Sequence, residues 1–389
     1  MRVSMFRSAQ RALAPRTDVN FKDFGFSLNC KELSKMVVLS TPNTWDKSKI
    51  EVVPYAPLQL EPSATILNYG QGLFEGIKAH RTTKDRIVVF RGDKGGQRAS
   101  NGSVALSMPP VPHEIFMEAI GAAVRANSDL VPPAGTGALY LRPIIFGSGA
   151  TLGLGPSTNY HFITYVSPVG EYFKGAAAAQ GARMKIERAH SRAAKNGSGS
   201  VKAGGNYAPC FKYQKGAKEE GYTDIIYMDN WTGQTVEEVA CANLFLVEKD
   251  RICTPPLGRI LPGVTRASIL QLLRDLPPEE LGGRTLYEGD LTMENFAKAE
   301  EAFCTGTATV VSPISHIGET GGSPNAWDYK PMGPVTKRLR EIVTGIQDES
   351  YPDVYGWLRD PFDEANFAAP IADESKKIEL PADAFAKKG

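Results

Sequence analysis

The sequence lacks the long apolar run that a membrane helix needs. The nearest candidate, "GALYLRPIIFGSGATLGLG", is interrupted by Arg142, whereas a span needs about 20 apolar residues. The chain also lacks a strong charge of either sign, because 44 basic and 43 acidic residues leave a formal net charge of +1. We therefore expect neither a membrane nor a nucleic acid as the partner. A small polar or amphipathic molecule fits this composition better.

Metal-binding and hydrolase motifs are missing as well. The five cysteines show no CxxC and no zinc-like spacing, and none of the five histidines has a metal-like neighbour. The sequence contains no P-loop, no HExxH and no GxSxG, and no GxGxxG follows a strand. These absences argue against metal-dependent and serine hydrolysis. They predict no metal site and indicate a reducing compartment.

The first sixteen residues, "MRVSMFRSAQRALAPR", contain four arginines and two serines but no acidic residue. This composition is typical of a cleavable import segment, and a mitochondrial address is favoured over a plastid one. The alternative is a plain solvated tail.

The remaining chain is too long for one core of ordinary size and predicts two domains. In residues 17–170, a helix pattern in "PHEIFMEAIGAAVRANSDL" and strand runs in "ALYLRPIIFG" and "YHFITYVSPVG" predict an α/β domain. The small residues of 171–184 predict a linker. Residues 185–350 form the second domain, with a strand predicted over "TVEEVACANLFLVE" and a helix over "TRASILQLLRDL". Residues 351–389 are predicted as an irregular tail.

One lysine stands out in the second domain. In "GSGSVKAGGNYAP", Lys202 lies between glycine-rich segments, and Tyr207 follows five residues later. Glycines let a backbone approach a ligand closely. Burial disfavours the charged form of an amine, and a neutral amine can form a Schiff base with an aldehyde. The alternative is a structural lysine in a flexible loop.

Two other stretches could bind a phosphate. "LPGVTR", residues 261–266, begins a predicted helix, whose free N–H groups and positive dipole end attract anions. "CTGTATVVSP", residues 304–313, combines a glycine turn with hydroxyl groups. The alternatives are a plain turn capped by Thr265 and an ordinary β-turn.

Six fragments in the same order give a specific resemblance. They are "NYGQGLFEGIKAHR", "LYLRPIIFGSGATLGLG", "SVKAGGNYAP", "EEVACANLFLV", "GRILPGVTRASIL" and "FCTGTATVVSPI". Together they resemble the branched-chain amino acid aminotransferases, pyridoxal 5'-phosphate enzymes of fold type IV, over about residues 45–347. The resemblance implies an α/β (α+β) two-domain fold, with a smaller N-terminal α/β domain and a larger C-terminal β-rich pseudo-barrel domain.

The resemblance implies roles around the cofactor ring. Lys202 matches the lysine that binds the cofactor covalently and then moves the proton between the substrate Cα and the cofactor C4′. Tyr207 matches the tyrosine that bonds the phenolic oxygen, and Glu238 the carboxylate that pairs with the ring nitrogen. Glu237 is the alternative to Glu238, since adjacent strand residues point to opposite faces.

Phosphate and substrate roles follow from the same resemblance. Arg98 would bind the phosphate through its guanidinium, together with Gly263, Val264, Thr265 and Thr307, whereas the N–H of Ala308 would meet the substrate carboxylate. The aromatic residues Tyr69, Phe74 and Tyr140 would form apolar walls for a branched side chain. Arg142 would meet the distal carboxylate of glutamate or 2-oxoglutarate; its alternative is a structural ion pair. Arg192 would support the site.

The implied reaction is reversible amino transfer from leucine, isoleucine or valine to 2-oxoglutarate by a homodimer. Two departures from the family pattern keep alternatives open. "EVACAN" carries Ala240 and Cys241 where a glycine and a hydroxyl residue are common, and the glycines of "FRGDKGGQRASNGS" weaken the helix expected to present Arg98. One alternative is a fold-type-IV enzyme of a specialised pathway, with another amine donor or a lyase reaction. The other is a non-catalytic binding protein.

Overall fold

A computed structural model describes residues 12–173, 180–194, 196–319, 323, 325–370, 377–381 and 384–386. Most of the predicted import segment and the middle of the predicted linker therefore lie outside the described residues.

The strands are β1 (Lys35–Thr41), β2 (Glu51–Pro54), β3 (Gly72–Phe74), β4 (Ile77–Arg81), β5 (Ile87–Phe90), β6 (Ala138–Gly147), β7 (Tyr160–Val169), β8 (Ala182–Glu187), β9 (Asp224–Met228), β10 (Val236–Val239), β11 (Asn243–Val247), β12 (Arg251–Thr254), β13 (Thr285–Glu288), β14 (Glu301–Gly306), β15 (Val310–Gly318), β16 (Ala326–Asp328) and β17 (Leu358–Arg359). The helices are α1 (Thr65–Tyr69), α2 (Gly92–Ala105), α3 (His113–Ala126), α4 (Phe211–Glu219), α5 (Val264–Asp275), α6 (Met293–Lys298), α7 (Pro334–Gln347) and α8 (Glu364–Phe367).

The chain divides into two compact units. The first unit comprises the described residues of Met1–Tyr69, Glu75–Gly170 and Gln347–Ile371. The second comprises those of Gly70–Phe74, Glu171–Ile346 and Ala372–Gly389. Both units therefore draw on separate stretches of the sequence.

An antiparallel sheet organises the first unit, with strand order β17-β5-β4-β6-β7-β1-β2. The long predicted strands β6 and β7 pair over their whole length, from Ala138 opposite Val169 to Gly147 opposite Tyr160. The predicted helix α3 also forms, and its Phe116 ring stacks on Phe162 of β7 at 5.5 Å between centroids.

Helix α2 forms despite its glycines, and its packing explains them. A Cβ added at Gly96 would lie 2.8 Å from the ring of Phe116. A Cβ added at Gly92 would lie 2.7 Å from Ile120. Side chains at these positions would push α2 away from α3. The glycines cost helix propensity but allow a close approach between the two helices.

The C-terminal stretch differs from the predicted irregular tail. Strand β17 pairs with the sheet edge at β5, and the backbone N–H of Arg91 donates to the carbonyl of Trp357 at 2.8 Å. The buried Trp357 ring stacks on Tyr355 at 4.3 Å and meets Phe90 edge-on at 5.8 Å. The Arg91 guanidinium lies 5.0 Å above the indole. Residues late in the sequence thus complete the first unit.

Replacing Trp357 with alanine should lower the free energy of unfolding by about 3–5 kcal/mol, because it empties a packed indole site. The midpoint of chemical denaturation, followed by circular dichroism, measures this loss. Trp231→Ala is the matched control, since that indole is 75% exposed and its removal should change stability little. Equal midpoint shifts in the two variants would contradict the packing role of Trp357.

A mixed sheet organises the second unit, with strand order β10-β9-β8-β15-β14-β11-β12-β13 and β16 beside β15. Strand β8 runs parallel to both of its neighbours. The core of this unit includes Met184, Ile226, Leu244 and Phe296. The predicted helix over "TRASILQLLRDL" forms within α5.

The single strand predicted over "TVEEVACANLFLVE" is two strands in the structure. Strand β10 ends at Val239 and β11 begins at Asn243. The backbone groups of Val239 and Ala242 hydrogen-bond to each other across the intervening turn. The sequence pattern missed this turn because the residues there are apolar and small, as in a buried strand.

Two features are absent from the part of the chain that the structure describes. No helix there has both the length and the apolar character needed to cross a membrane. No group of three or more histidine, cysteine, aspartate or glutamate residues there is arranged to hold a metal ion.

Candidate active site

Lys202 lies among aromatic groups in the second unit. Its Nζ is 3.3 Å from the hydroxyl of Tyr207, to which it donates. The same nitrogen lies 4.7 Å from the ring centroid of Phe74. Phe74 is held there because its backbone N–H donates to the carbonyl of Lys202 at 3.1 Å. Strand β3 thus brings a residue distant in sequence to the lysine.

Glu238, on β10, is a buried carboxylate with several donors. Arg192 forms an ion pair with its Oε1, and the backbone N–H of Leu261 donates to the same oxygen at 3.0 Å. The amide Nδ2 of Asn243 donates to Oε2 at 2.9 Å. Burial raises the pKa of the Glu238 carboxyl to about 7, while the charges of Arg192 and Lys202 oppose this rise.

Glu237 has a different environment from its neighbour. Its carboxylate is also buried and lies 3.4 Å from Nε of Arg259. Burial raises the pKa of Glu237 to about 7, and the Arg259 charge opposes the rise. Among the described residues, neither carboxylate oxygen of Glu237 has a hydrogen-bond partner. The donors that orient a carboxylate are therefore gathered on Glu238.

Helix α5 presents the predicted phosphate residues at its first turn. Gly263 is the N-cap, no side chain of the described residues caps this helix, and Val264 and Thr265 are its first residues. Thr265 therefore does not cap this helix, and the phosphate role of the turn stays a prediction. A Cβ added at Gly263 would lie 1.9 Å from Oδ1 of Asn243. Glycine is required here because the Asn243 side chain takes the space.

The turn between β14 and β15 carries Thr307 and Ala308. A Cβ added at Gly306, just before this turn, would lie 3.5 Å from the backbone carbonyl of Cys241. The turn after β10 and the turn after β14 are therefore neighbours. Val310, which ends the second turn, has a φ of 57°, which is strained for a β-branched residue.

Arg98 lies in the first unit, on α2, and pairs with Glu75. Its Nε donates to Oε1 of Glu75 at 2.8 Å, and its Nη2 donates to Oε2 at 2.6 Å. The Glu75 side chain is fully buried. This two-pronged ion pair fixes the plane of the guanidinium.

Three of the predicted substrate residues, Tyr69, Tyr140 and Arg142, lie in the first unit. Nη2 of Arg142 donates to the hydroxyl of Tyr140 at 3.3 Å. Burial raises the pKa of Tyr140, and the Arg142 charge opposes this rise. A Cβ at Gly76 would lie 2.0 Å from the Tyr140 hydroxyl, so glycine is required beside it. The half-exposed Tyr69 donates to the carbonyl of Leu152 at 2.5 Å.

Three residues that contact the predicted site residues were not identified from the sequence. Phe26 meets the ring of Tyr140 edge-on at 4.9 Å. Glu75 pairs with Arg98, and Asn243 binds Glu238. The fragments "FEG" and "EVACAN" contain the last two, but no periodicity marks them.

The second unit thus contains a lysine beside a tyrosine hydroxyl, a buried carboxylate with several donors and a helix whose N-cap is a glycine. Residues 72–317 match the family described as amino-transferase class IV. The chain belongs to the class IV aminotransferases, enzymes that use pyridoxal phosphate.

Curated relatives agree with this assignment. Branched-chain-amino-acid aminotransferase 6 of Arabidopsis thaliana is 38% identical over 344 residues, covering 88% of this chain and 93% of the relative. Branched-chain-amino-acid aminotransferase 1, mitochondrial, of the same plant is 37% identical, and the match covers 90% of this chain and 88% of the relative. A methionine aminotransferase of that plant is 38% identical, and the match covers 79% of this chain and 84% of the relative.

Solved structures share the fold. The branched-chain amino acid aminotransferase of Escherichia coli aligns with a TM-score of 0.64 and 26% identity, covering 84% of this chain and 99% of that one. A T.th. branched-chain amino acid aminotransferase complexed with N-(5'-phosphopyridoxyl)-L-glutamate aligns with a TM-score of 0.66 and 26% identity, covering 84% and 98%. The predicted fold type IV architecture and family resemblance are confirmed.

Proposed function

We propose that this chain is a pyridoxal phosphate-dependent branched-chain amino acid aminotransferase that transfers amino groups reversibly to 2-oxoglutarate. The observation that carries the proposal is the placement of Lys202 against Tyr207 and Phe74, in the same unit as the buried carboxylate of Glu238. The family match and the relatives' names support the same reaction.

The residues present fit the cofactor. Lys202 would hold its aldehyde carbon covalently, the Tyr207 hydroxyl would hydrogen-bond its phenolic oxygen, and Glu238 would accept a hydrogen bond from its protonated ring nitrogen. When bound, the cofactor supplies an electron sink for the negative charge that develops on the substrate Cα. Lys202 would then carry the proton to and from that carbon.

The phosphate would be held by donors that the structure orients. The N–H groups at the start of α5 are those an anion binds at a helix N-terminus. The contributing residues would be Gly263, Val264, Thr265 and Thr307, together with Arg98. Because Glu75 fixes the guanidinium plane of Arg98, the N–H groups of Arg98 would approach a phosphate in one fixed orientation.

For the substrate, we propose that Tyr69, Phe74 and Tyr140 contact the branched side chain. The Ala308 N–H would bind the α-carboxylate, and Arg142 would bind the distal carboxylate of 2-oxoglutarate. Tyr140 supports this role because its hydroxyl already orients the Arg142 guanidinium.

Steady-state kinetics of the holoenzyme test the proposal. With 2-oxoglutarate as acceptor, we expect kcat/KM for leucine, isoleucine and valine to exceed that for methionine. A higher value for methionine or another donor would overturn the branched-chain specificity. Absence of transfer from every amino acid would overturn the aminotransferase function.

A second candidate is an aminotransferase with a different donor. It is favoured by the methionine aminotransferase relative and by the local structure at Cys241. The thiol of Cys241 lies 3.3 Å from the Tyr172 hydroxyl and 3.5 Å from Oδ2 of Asp224. A hydrogen-bonded thiol at this turn differs in polarity and volume from the hydroxyl residue that is common at this position in the family.

A homodimer is part of the proposal. Leu152 and Leu154 in the loop after β6 are 90% and 89% exposed, and Leu67 on α1 is 60% exposed. Leucine side chains this exposed are expected where another chain covers the surface. Light scattering of the purified protein measures its mass in solution, and an active monomer would contradict the dimer.

Mitochondrial import stays a prediction from residues 1–16. The curated relatives include both mitochondrial and chloroplastic enzymes. Fusion of residues 1–16 to a fluorescent protein distinguishes the two organelles, and a diffuse signal would contradict an import segment.

A further inference from the structure

Asn243 occupies a position that connects two parts of the proposed cofactor site. It is the first residue of β11 and is 3% exposed. Its Nδ2 donates to Oε2 of Glu238 at 2.9 Å and to the carbonyl oxygen of Leu261 at 3.0 Å. Both partners are acceptors, so the NH2 group of the amide faces them.

A closed ring of hydrogen bonds results. The N–H of Leu261 donates to Oε1 of Glu238 at 3.0 Å, while its carbonyl accepts from Asn243. Glu238 is thus held at one oxygen by Asn243 and at the other by Leu261. Such a ring fixes both the position and the rotation of the carboxylate.

The same side chain also lies against the start of α5. Oδ1 of Asn243 occupies the space where a Cβ of Gly263 would be, at 1.9 Å. Leu261 lies two residues before Gly263, the N-cap of that helix. One amide therefore sets the spacing between the carboxylate and the first helical N–H groups.

We propose that Asn243 is a positioning residue, which holds Glu238 towards the cofactor ring nitrogen and fixes its distance from the phosphate-binding turn of α5. Its N–H donation also favours the ionised form of Glu238, the form that a protonated ring nitrogen requires. This inference rests on the proposed function.

Two substitutions test it. Asn243→Ala removes both hydrogen bonds, and Asn243→Asp keeps the shape while replacing the donor with an oxygen that repels Glu238. We expect each to weaken pyridoxal phosphate affinity, measured by absorbance titration, by about 10- to 100-fold, since a hydrogen bond to a charged group is lost. Unchanged affinity in both variants would overturn the inference. If Asn243→Ala does not fold, the isosteric Asn243→Asp decides alone.

A matched control distinguishes a positioning role of Asn243 from a general loss of protein stability. Asn295 is also a buried amide, and its Nδ2 donates to Oε1 of Glu248 at 2.7 Å in the same unit. Asn295→Ala should lower the melting temperature but leave the cofactor affinity at the wild-type value. If Asn295→Ala weakens cofactor binding as much as Asn243→Ala, general destabilisation explains the result and the inference fails.

A double-mutant cycle tests whether Asn243 acts through Glu238. If it does, Asn243→Ala should reduce cofactor affinity and kcat much less in a Glu238→Gln background than in the wild type. Equal fold-losses in the two backgrounds would overturn the proposal. The wild-type titration reports separately on the proposed function, because a wild-type protein that does not bind pyridoxal phosphate contradicts that function itself.

Discussion

Replacing Lys202 with alanine should reduce leucine turnover by about 10²- to 10⁴-fold or more. A positioned acid–base group contributes about that factor to a proton transfer, and the covalent attachment of the cofactor is lost as well. Initial rates with leucine and 2-oxoglutarate measure the loss. The visible absorption band of the purified holoenzyme should shift at the same time.

Lys212 provides the matched control for Lys202. It is exposed, and its Nζ also lies over a tyrosine ring, 5.7 Å from the centroid of Tyr213. Lys212→Ala should keep wild-type turnover. Wild-type turnover in Lys202→Ala would remove the basis of the aminotransferase proposal.

Replacing Glu238 with glutamine should reduce turnover by about 10- to 100-fold, since a charge-assisted hydrogen bond is replaced by a neutral one. Glutamine preserves the side-chain shape but cannot carry the negative charge that keeps a ring nitrogen protonated. The affinity for pyridoxal phosphate should weaken as well, but the cofactor should stay bound when it is supplied at saturating concentration. The rates measured there report the fall in kcat.

Glu237→Gln is the internal control for Glu238→Gln. Glu237 faces Arg259 rather than Arg192 and Asn243, so its substitution should preserve turnover. A large loss in Glu237→Gln with normal turnover in Glu238→Gln would show that the ring nitrogen pairs with the other carboxylate.

Local patterns predicted the parts of the fold that depend on neighbouring residues. Helix α3 follows from apolar residues at helical spacing, and β6 and β7 from β-branched and aromatic runs. The family resemblance, which rests on fragment order, identified Lys202 and Tyr207 together. The structure places their side chains 3.3 Å apart.

Contacts between distant stretches could not be predicted in this way. Asn243 reaches Glu238 because the chain turns at Ala240–Ala242, and a continuous strand pattern hides that turn. The glycines of α2 weaken a helix in isolation, and their reason appears when Phe116 is seen beside Gly96. Glu75 and Arg98 are 23 residues apart in sequence, so no local periodicity relates them.

The position of β17 has a consequence for synthesis on the ribosome. The chain emerges from its N-terminus, and domains fold as they become complete. Strand β5 is made early, but β17 and Trp357, which cover its edge, are made near the end. The sheet edge at β5 therefore stays unpaired while the whole second sheet is being translated. Exposed strand edges promote aggregation, so the edge of β5 is open to pairing with other chains until β17 has been translated.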